Sequence, residues 1–226
     1  MEIFLASGNA HKKIEIQELF PEHTFLIPKD RGITFDPEEN GNSFFENSLI
    51  KAKKLWEIVH QPVIADDSGI CVSILHNRPG IYSARYCGKD AEIGSMPLSS
   101  GEQNRLLIEE INYTIRSQRL KGPAETLRRC FYVCSMVFYY DDFKYASVQE
   151  TMEGYVISDI NQQRGKGGFG YDPIVFLPAY EKTVAELTPD EKNRISHRGK
   201  ACALLKPLIQ LTEKSSEDRQ IISNSY

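Results

Sequence analysis

The chain has 226 residues, 41% hydrophobic and 26% charged, an ordinary globular composition that excludes a disordered or fibrous protein and is enough for one good-sized α/β domain or two small ones. A formal net charge of −4 excludes a broad electrostatic grip on nucleic acid, so an anionic ligand must meet locally clustered cations. The longest nearly apolar run, Phe131 to Tyr140, is too short to span a bilayer, and Ile3 to Ala6 is too short for a signal-peptide core; the protein is expected in the cytoplasm, with no membrane partner.

In chain order, Glu2 to Ala6 reads as a strand, Ser7-Gly8-Asn9 as a turn, and Ala10 to Phe20 as a helix carrying Ile14, Ile16, Leu19 and Phe20. Pro28 to Gly41 reads as a loop with an extended piece around Ile33 to Phe35. Phe45, Leu49, Ala52, Trp56 and Val59 recur at helical spacing and predict a buried stripe, with Glu46, Lys53 and Glu57 off it and Pro62 beyond the helix end. Val63-Ile64-Ala65 predicts a short buried strand running into a turn at Asp66-Asp67-Ser68-Gly69. Arg78-Pro79-Gly80 is a turn, and Ile81 to Cys87 is extended or irregular. Ser100-Gly101-Glu102-Gln103 has capping-box chemistry and opens a helix through Leu106, Leu107, Ile108 and Ile111. Arg116 to Arg128, polar and broken by Gly122-Pro123, reads as a surface insertion.

Phe131 to Tyr140 and Lys144 to Glu150 are β-rich around Asp141-Asp142-Phe143, a hairpin pattern, and Ile174 to Leu177 is a further strand. Thr188-Pro189-Asp190-Glu191 caps a helix with proline at its first position. A final helix from near Ser196 is expected to be disturbed by Pro207, with a frayed polar tail from about Glu213. Helices alternating with strands, then a hairpin, make an α/β domain with a mixed sheet. The five cysteines (Cys71, Cys87, Cys130, Cys134, Cys202) form no C-x-x-C pair and read as buried reduced thiols.

Two segments concentrate chemistry. Gly165 to Asp172 packs glycines around Phe169, and Glu191 to Gly199 supplies Lys192, Arg194, His197 and Arg198. A ring to stack on a base and cations to meet phosphate suit one pocket; the plain alternative is a glycine turn beside a solvated basic helix end. Asp66 and Asp67 point to opposite faces of their strand, so one can look into a cleft while the other caps the turn. With phosphate nearby, Mg²⁺ would join it to such a carboxylate; the alternative is a turn aspartate pair. Glu46, a second candidate metal ligand, equally suits the helix dipole. Ser7-Gly8-Asn9-x-x-Lys12 can hold an anion at a helix N-terminus or be a plain capped helix.

LASGNAHK (Leu5 to Lys12), FFENSLIKA (Phe44 to Ala52), ADDSGI (Ala65 to Ile70), RPGIYSARYCG (Arg78 to Gly88), GGFGYDPIVFLP (Gly167 to Pro178) and ELTPDEKNRISHRGKA (Glu186 to Ala201) occur in that order. Together they resemble the inosine/xanthosine triphosphate pyrophosphatases. The resemblance implies an α/β fold with an elongated mixed sheet flanked by helices, a cleft between two lobes, a domain over 1–212, and a longer-than-usual segment at 89–129. It also implies hydrolysis of non-standard purine nucleoside triphosphates (ITP, dITP, XTP) to monophosphate and pyrophosphate.

By position, Asp67 would be the proton acceptor and a Mg²⁺ ligand with Glu46. Ser7, Gly8, Asn9, Ala10, His11 and Lys12 would hold phosphates, with Lys51 or Lys53 as helpers. Lys192 would contact substrate, and Ser68, Phe169, Gly170, Tyr171, Asp172, His197 and Arg198 would form the base end. A homodimer is implied, with Phe138 to Phe143 as a contact surface. The septum-inhibitor-like (Maf) pyrophosphatases share the opening, but Asn9, Lys12 and the SHRG block argue against them. A non-catalytic nucleotide-binding module would not require both Glu46 and Asp67.

Overall fold

The computed structural model describes residues 1–92, 94–166, 168 and 170–223, and for Ala10, His11 and residues 214–223 the backbone alone. The apolar opening run becomes β1 (Glu2–Leu5), which lies between β2 (Thr24–Leu26) and β3 (Val63–Val72) and is parallel to both. Parallel neighbours require crossovers, and helices α1 (Ala10–Leu19) and α2 (Phe44–Val59) lie in the two connections. The short β4 (Arg78–Pro79) pairs antiparallel with the far end of β3. After α3 (Ser100–Ser117) and α4 (Ala124–Leu127) come the long hairpin strands β5 (Arg129–Asp141) and β6 (Lys144–Val156). Antiparallel β7 (Val175–Leu177) and β8 (Lys182–Thr183) follow, then α5 (Pro189–Ile195) and α6 (His197–Ser223). The mixed sheet runs β2-β1-β3-β5-β6-β7-β8, with β4 on β3.

Chain contacts gather into two compact units, 1–67 with 134–150 and 198–226, and 68–133 with 151–197. In the first, alternation along β5 sends Cys134, Met136 and Phe138 to one buried cluster with Ile16, Phe20, Leu205 and Ile209. It sends Val137 and Tyr139 to another with Ala52, Leu55 and Val63. The second unit has a core of Ile70, Val72, Leu107, Ile111, Tyr132, Ile174 and Val175. All five cysteines are free and buried. Among the described residues, no helix is long and apolar enough to cross a membrane.

Several expectations change. β3 does not turn at Asp66-Asp67-Ser68-Gly69 but continues to Val72. Ile70, Cys71 and Val72 are buried beyond the carboxylates, and Gly69 lets the Gly80 carbonyl and the Ser83 hydroxyl approach where a Cβ would collide. The fully buried face of α2 is Asn47, Ser48, Lys51, Ala52 and Leu55, while Phe45, Leu49, Trp56 and Val59 flank it half-buried. On α1, Ile14 is exposed. Ile81 to Cys87 begins inside a 3-10 turn over Gly80–Arg85, and Ile33 to Phe35 pairs with no strand.

The Arg116 to Arg128 segment, expected as a surface insertion, is exposed over most of its length but ends in the buried Arg128. Pro207 does not stop α6. The buried spacing Ala201, Cys202, Leu205, Ile209 carries the helix past it, and helical backbone continues through 213–223 where polarity suggested a frayed tail. In the proposed dimer-contact segment, Phe138 and Tyr139 are core residues, and Phe143 at the hairpin turn is 79% exposed.

Candidate active site

Two adjacent carboxylates on β3 receive opposite treatment. Asp66 is buried between Lys12 Nζ at 3.0 Å and Arg198 Nη2 at 2.9 Å, and Arg198 Nη1 also meets Glu15 Oε2 at 2.5 Å. Burial opposes its ionisation, but Lys12, Arg198 and then Lys51 outweigh burial and hold the carboxyl well below the usual aspartate range. Asp66 therefore does not cap a turn; it neutralises two cations inside the protein.

On the opposite face, Asp67 Oδ1 meets Lys51 Nζ at 3.3 Å and Asp67 Oδ2 accepts from Asn47 Nδ2 at 3.1 Å. Burial pushes its pKa up. Lys51 and Asn47 offset this only in part, and Glu39 and Asp66 add to it. A buried carboxylate with raised basicity is suited to accepting a proton.

The α2 helix positions this site. Its N-cap Ser43 accepts from the Glu46 amide, which sets the first turn so that Asn47 and Lys51, one turn apart, face Asp67. Asn47 is fully buried, and its Oδ1 accepts from Gly41 N at 2.9 Å. A Cβ on Gly41 would sit 2.7 Å from the Glu46 Cβ and 2.8 Å from Asn47 Oδ1, so the loop closes here only with glycine. Lys51 also reaches Glu39 at 3.4 Å. Glu46 is exposed, and its carboxylate accepts from Asn42 N at 2.5 Å, which is helix-start chemistry. Lys53 stays with Glu57 at 3.9 Å on the outer face, so of the two candidate lysines only Lys51 reaches Asp67.

In the opening segment, Ser7 Oγ accepts from Asn9 N at 3.1 Å, and Asn9 Oδ1 from Lys12 N at 3.3 Å. Those bonds cap α1 and put Gly8 and Asn9 on the surface ahead of it. Ala10 and His11 are its first two residues. The segment is a capped helix start, and the Lys12 ammonium is anchored on Asp66.

In the second unit, Asp172 is the hub. Its Oδ1 accepts from the Tyr132 hydroxyl at 3.1 Å and its Oδ2 meets Lys192 Nζ at 3.0 Å. The His197 imidazole stacks on the Tyr132 ring, with centroids 4.9 Å apart and 9° between planes. The Tyr171 hydroxyl donates to Ser83 O at 2.8 Å, and Gly170 O accepts from Asn104 Nδ2 at 3.1 Å. Gly168 has φ +73°, and a Cβ there would run into the Asp172 carboxylate; Gly170, at φ +62°, faces open space. Ser68 is half-buried on β3. Phe169 and Gly167 lie outside the described residues. Tyr171, Asp172, Lys192 and His197 thus share one unit, whereas the Arg198 guanidinium is engaged in the other, on Asp66 and Glu15.

A family model described as the Ham1 family matches residues 3–208. The chain belongs to the Ham1 family. The dITP/XTP pyrophosphatase of Treponema denticola is 49% identical over 201 residues, 89% of this chain and 94% of that protein. The dITP/XTP pyrophosphatase of Leptospira interrogans is 38% identical over 202 residues, 88% and 92% of the two chains. Among solved structures, a HAM1 protein from Coxiella burnetii is similar with a TM-score of 0.76 at 33% identity, over 93% of this chain and 98% of that one.

Against this Ham1 framework, sequence reasoning missed Asn47, Glu39, Glu15, Asn104 and Tyr132. Asn47 had a usable signal. It lies four residues before Lys51, and two polar side chains on one helix face with a carboxylate strand to follow call for a polar partner.

Proposed function

We propose that this Ham1-family chain hydrolyses the non-standard purine nucleoside triphosphates ITP, dITP and XTP between the α and β phosphates, giving the monophosphate and pyrophosphate. The names of its relatives and the match over residues 3–208 support this reading. The observation that carries it is Asp67, a buried carboxylate of raised basicity, oriented by Asn47 and accompanied by Lys51.

The first unit's residues would act on the phosphates. At the α1 N-terminus the Ser7 to His11 segment, with the Ser7 amide already donating to Leu5 O and the Asn9 amide to Ser7 Oγ, would offer phosphate its other amides and the Lys12 ammonium. Asp67 would accept the proton of the attacking water as its oxygen bonds to phosphorus and the bond to pyrophosphate breaks. Lys51 would offset the negative charge that builds there. The oxygen-only carboxylate set of Asp67 and Glu46 fits Mg²⁺, which takes one or two carboxylates together with substrate phosphates; when bound it would neutralise phosphate charge and lower the pKa of a water.

In the second unit Lys192 would contact the substrate, and Ser68, Phe169 to Asp172 and His197 would serve the base. Donors there pair with the 6-keto acceptor of inosine or xanthosine and would face the 6-amino donor of adenosine unpaired. Such a site can reject the wrong partner by about 10⁴-fold or more. Arg198, whose guanidinium is paired with Asp66 and Glu15, would also serve the base end. Residence in the cytoplasm and a homodimeric assembly complete the proposal.

The test is Asp67→Asn, an isosteric change. Turnover of ITP should fall about 10²-fold or more with an unchanged near-ultraviolet spectrum. Near-normal turnover from the folded variant would remove Asp67 from the role of base.

A further inference from the structure

We infer that Tyr132 is a positioning residue for base selection, one side chain that registers two recognition groups arriving on different helices. Lys192 comes from α5 and His197 opens α6. Neither is placed by its own helix to better than the freedom of its rotamers, and a lysine has much of that freedom. Tyr132 sits on β5 in the core of the second unit, 6% exposed, where a strand flanked by buried neighbours fixes its ring. Its face holds the His197 imidazole at 4.9 Å and 9°. Its hydroxyl donates to Asp172 Oδ1 at 3.1 Å, and the other oxygen of that carboxylate holds Lys192 at 3.0 Å.

Ring face and hydroxyl do separate jobs. Phenylalanine would keep the stack and lose the hydroxyl, and an aliphatic residue would lose both. The hydroxyl is a dependable donor, since burial and then the Asp172 charge keep the phenol protonated far above its ordinary range. The glycine at 168, against the Asp172 carboxylate, shows how closely the base-end loop is built on the same hub. Misplacing a recognition donor by a fraction of an ångström weakens discrimination more than it weakens the chemical step, which belongs to the other unit.

This inference rests on the base-end reading above, and Tyr132→Phe separates the two. With ITP, Tyr132→Phe should raise KM about fivefold, the equivalent of one hydrogen bond, with a smaller change in kcat. The ITP:ATP ratio of kcat/KM should fall by a similar factor. In an Asp172→Asn background the same substitution should add much less, since both changes act through one carboxylate.

Wild-type KM and selectivity in Tyr132→Phe, or full additivity with Asp172→Asn, would overturn it. A wild-type enzyme that does not prefer ITP to ATP would instead overturn the base-end reading. Independently of activity, the carbon-bound imidazole protons of His197 should keep their ring-current shift in Tyr132→Phe and lose it in Tyr132→Leu. An unchanged shift in folded Tyr132→Leu would contradict the stacking role.

Discussion

Asp66 and Asp67 are neighbours of one chemical type, and what surrounds each decides its work. Asp66 is depressed by Lys12 and Arg198, so it favours the folded state above the ordinary aspartate pKa of about 3.9 and loses that contribution as pH falls toward its lower folded value. Asp66→Asn takes from the buried Arg198 guanidinium one of its two carboxylate ion pairs, and removing one partner of a buried pair is strongly destabilising, about 3–5 kcal/mol. Denaturant unfolding at pH 7 should show that loss, and the variant should also lose part of the wild type's acid-induced decline below pH 4.

Asp67 has the opposite sign. Its folded pKa is raised, so its ionised form opposes folding at neutral pH. Asp67→Asn is therefore expected to melt no lower than wild type at pH 7, because Lys51 keeps Glu39 at 3.4 Å, even as turnover collapses. A lower melting temperature would mean that the Lys51 pair stabilises Asp67 more than burial destabilises it.

Among the elements, α2 shows where sequence reading stops. Its apolar residues predicted a helix correctly, but the centre of its buried face is polar because it meets Asp67 twenty residues away. Periodicity sees only hydrophobicity, so Asn47 went unmarked and Lys51 could not be told from Lys53. Tyr132 was equally hidden, an aromatic in an apolar strand whose hydroxyl gains meaning only when Asp172 arrives from forty residues on. At Pro207, expected to disturb the last helix, α6 runs on to Ser223 with the buried Leu205 and Ile209 on either side. Asp67, Asp172 and Lys192 could be singled out from the motif blocks, and Asp172 and Lys192 do meet, at 3.0 Å.

Two substitutions test elements directly. Asn47→Ala should leave Gly41 N–H and one Asp67 oxygen without their partner, costing about 1–3 kcal/mol in denaturant unfolding. A cost within error of zero would show that the loop before α2 closes without it. Gly168→Ala meets both a left-handed φ of +73° and the Asp172 carboxylate. It should raise KM for ITP and lower the melting temperature, and an unchanged KM would mean that the loop conformation is irrelevant to substrate.

At the scale of the molecule, the division of chemistry follows the division of the chain. Lys12, Lys51, Glu46 and Asp67 fall in the unit that begins the chain, while Asp172, Lys192 and His197 fall in the other, and β3 carries Asp67 and Ser68 as consecutive residues across the boundary. The net charge of −4 fits this arrangement, since Lys12, Lys51 and Lys192 are each held by a carboxylate and so aimed rather than spread over the surface. Such a molecule meets a small triphosphate through a few placed cations.

The most direct test of this account is pyrophosphate release from ITP, XTP, GTP, ATP and dTTP in the presence of Mg²⁺. Fast release from ITP and XTP, with ATP and GTP far slower, is the predicted result. Preference for dTTP, or no release from any triphosphate by a protein that still binds ITP, would contradict it.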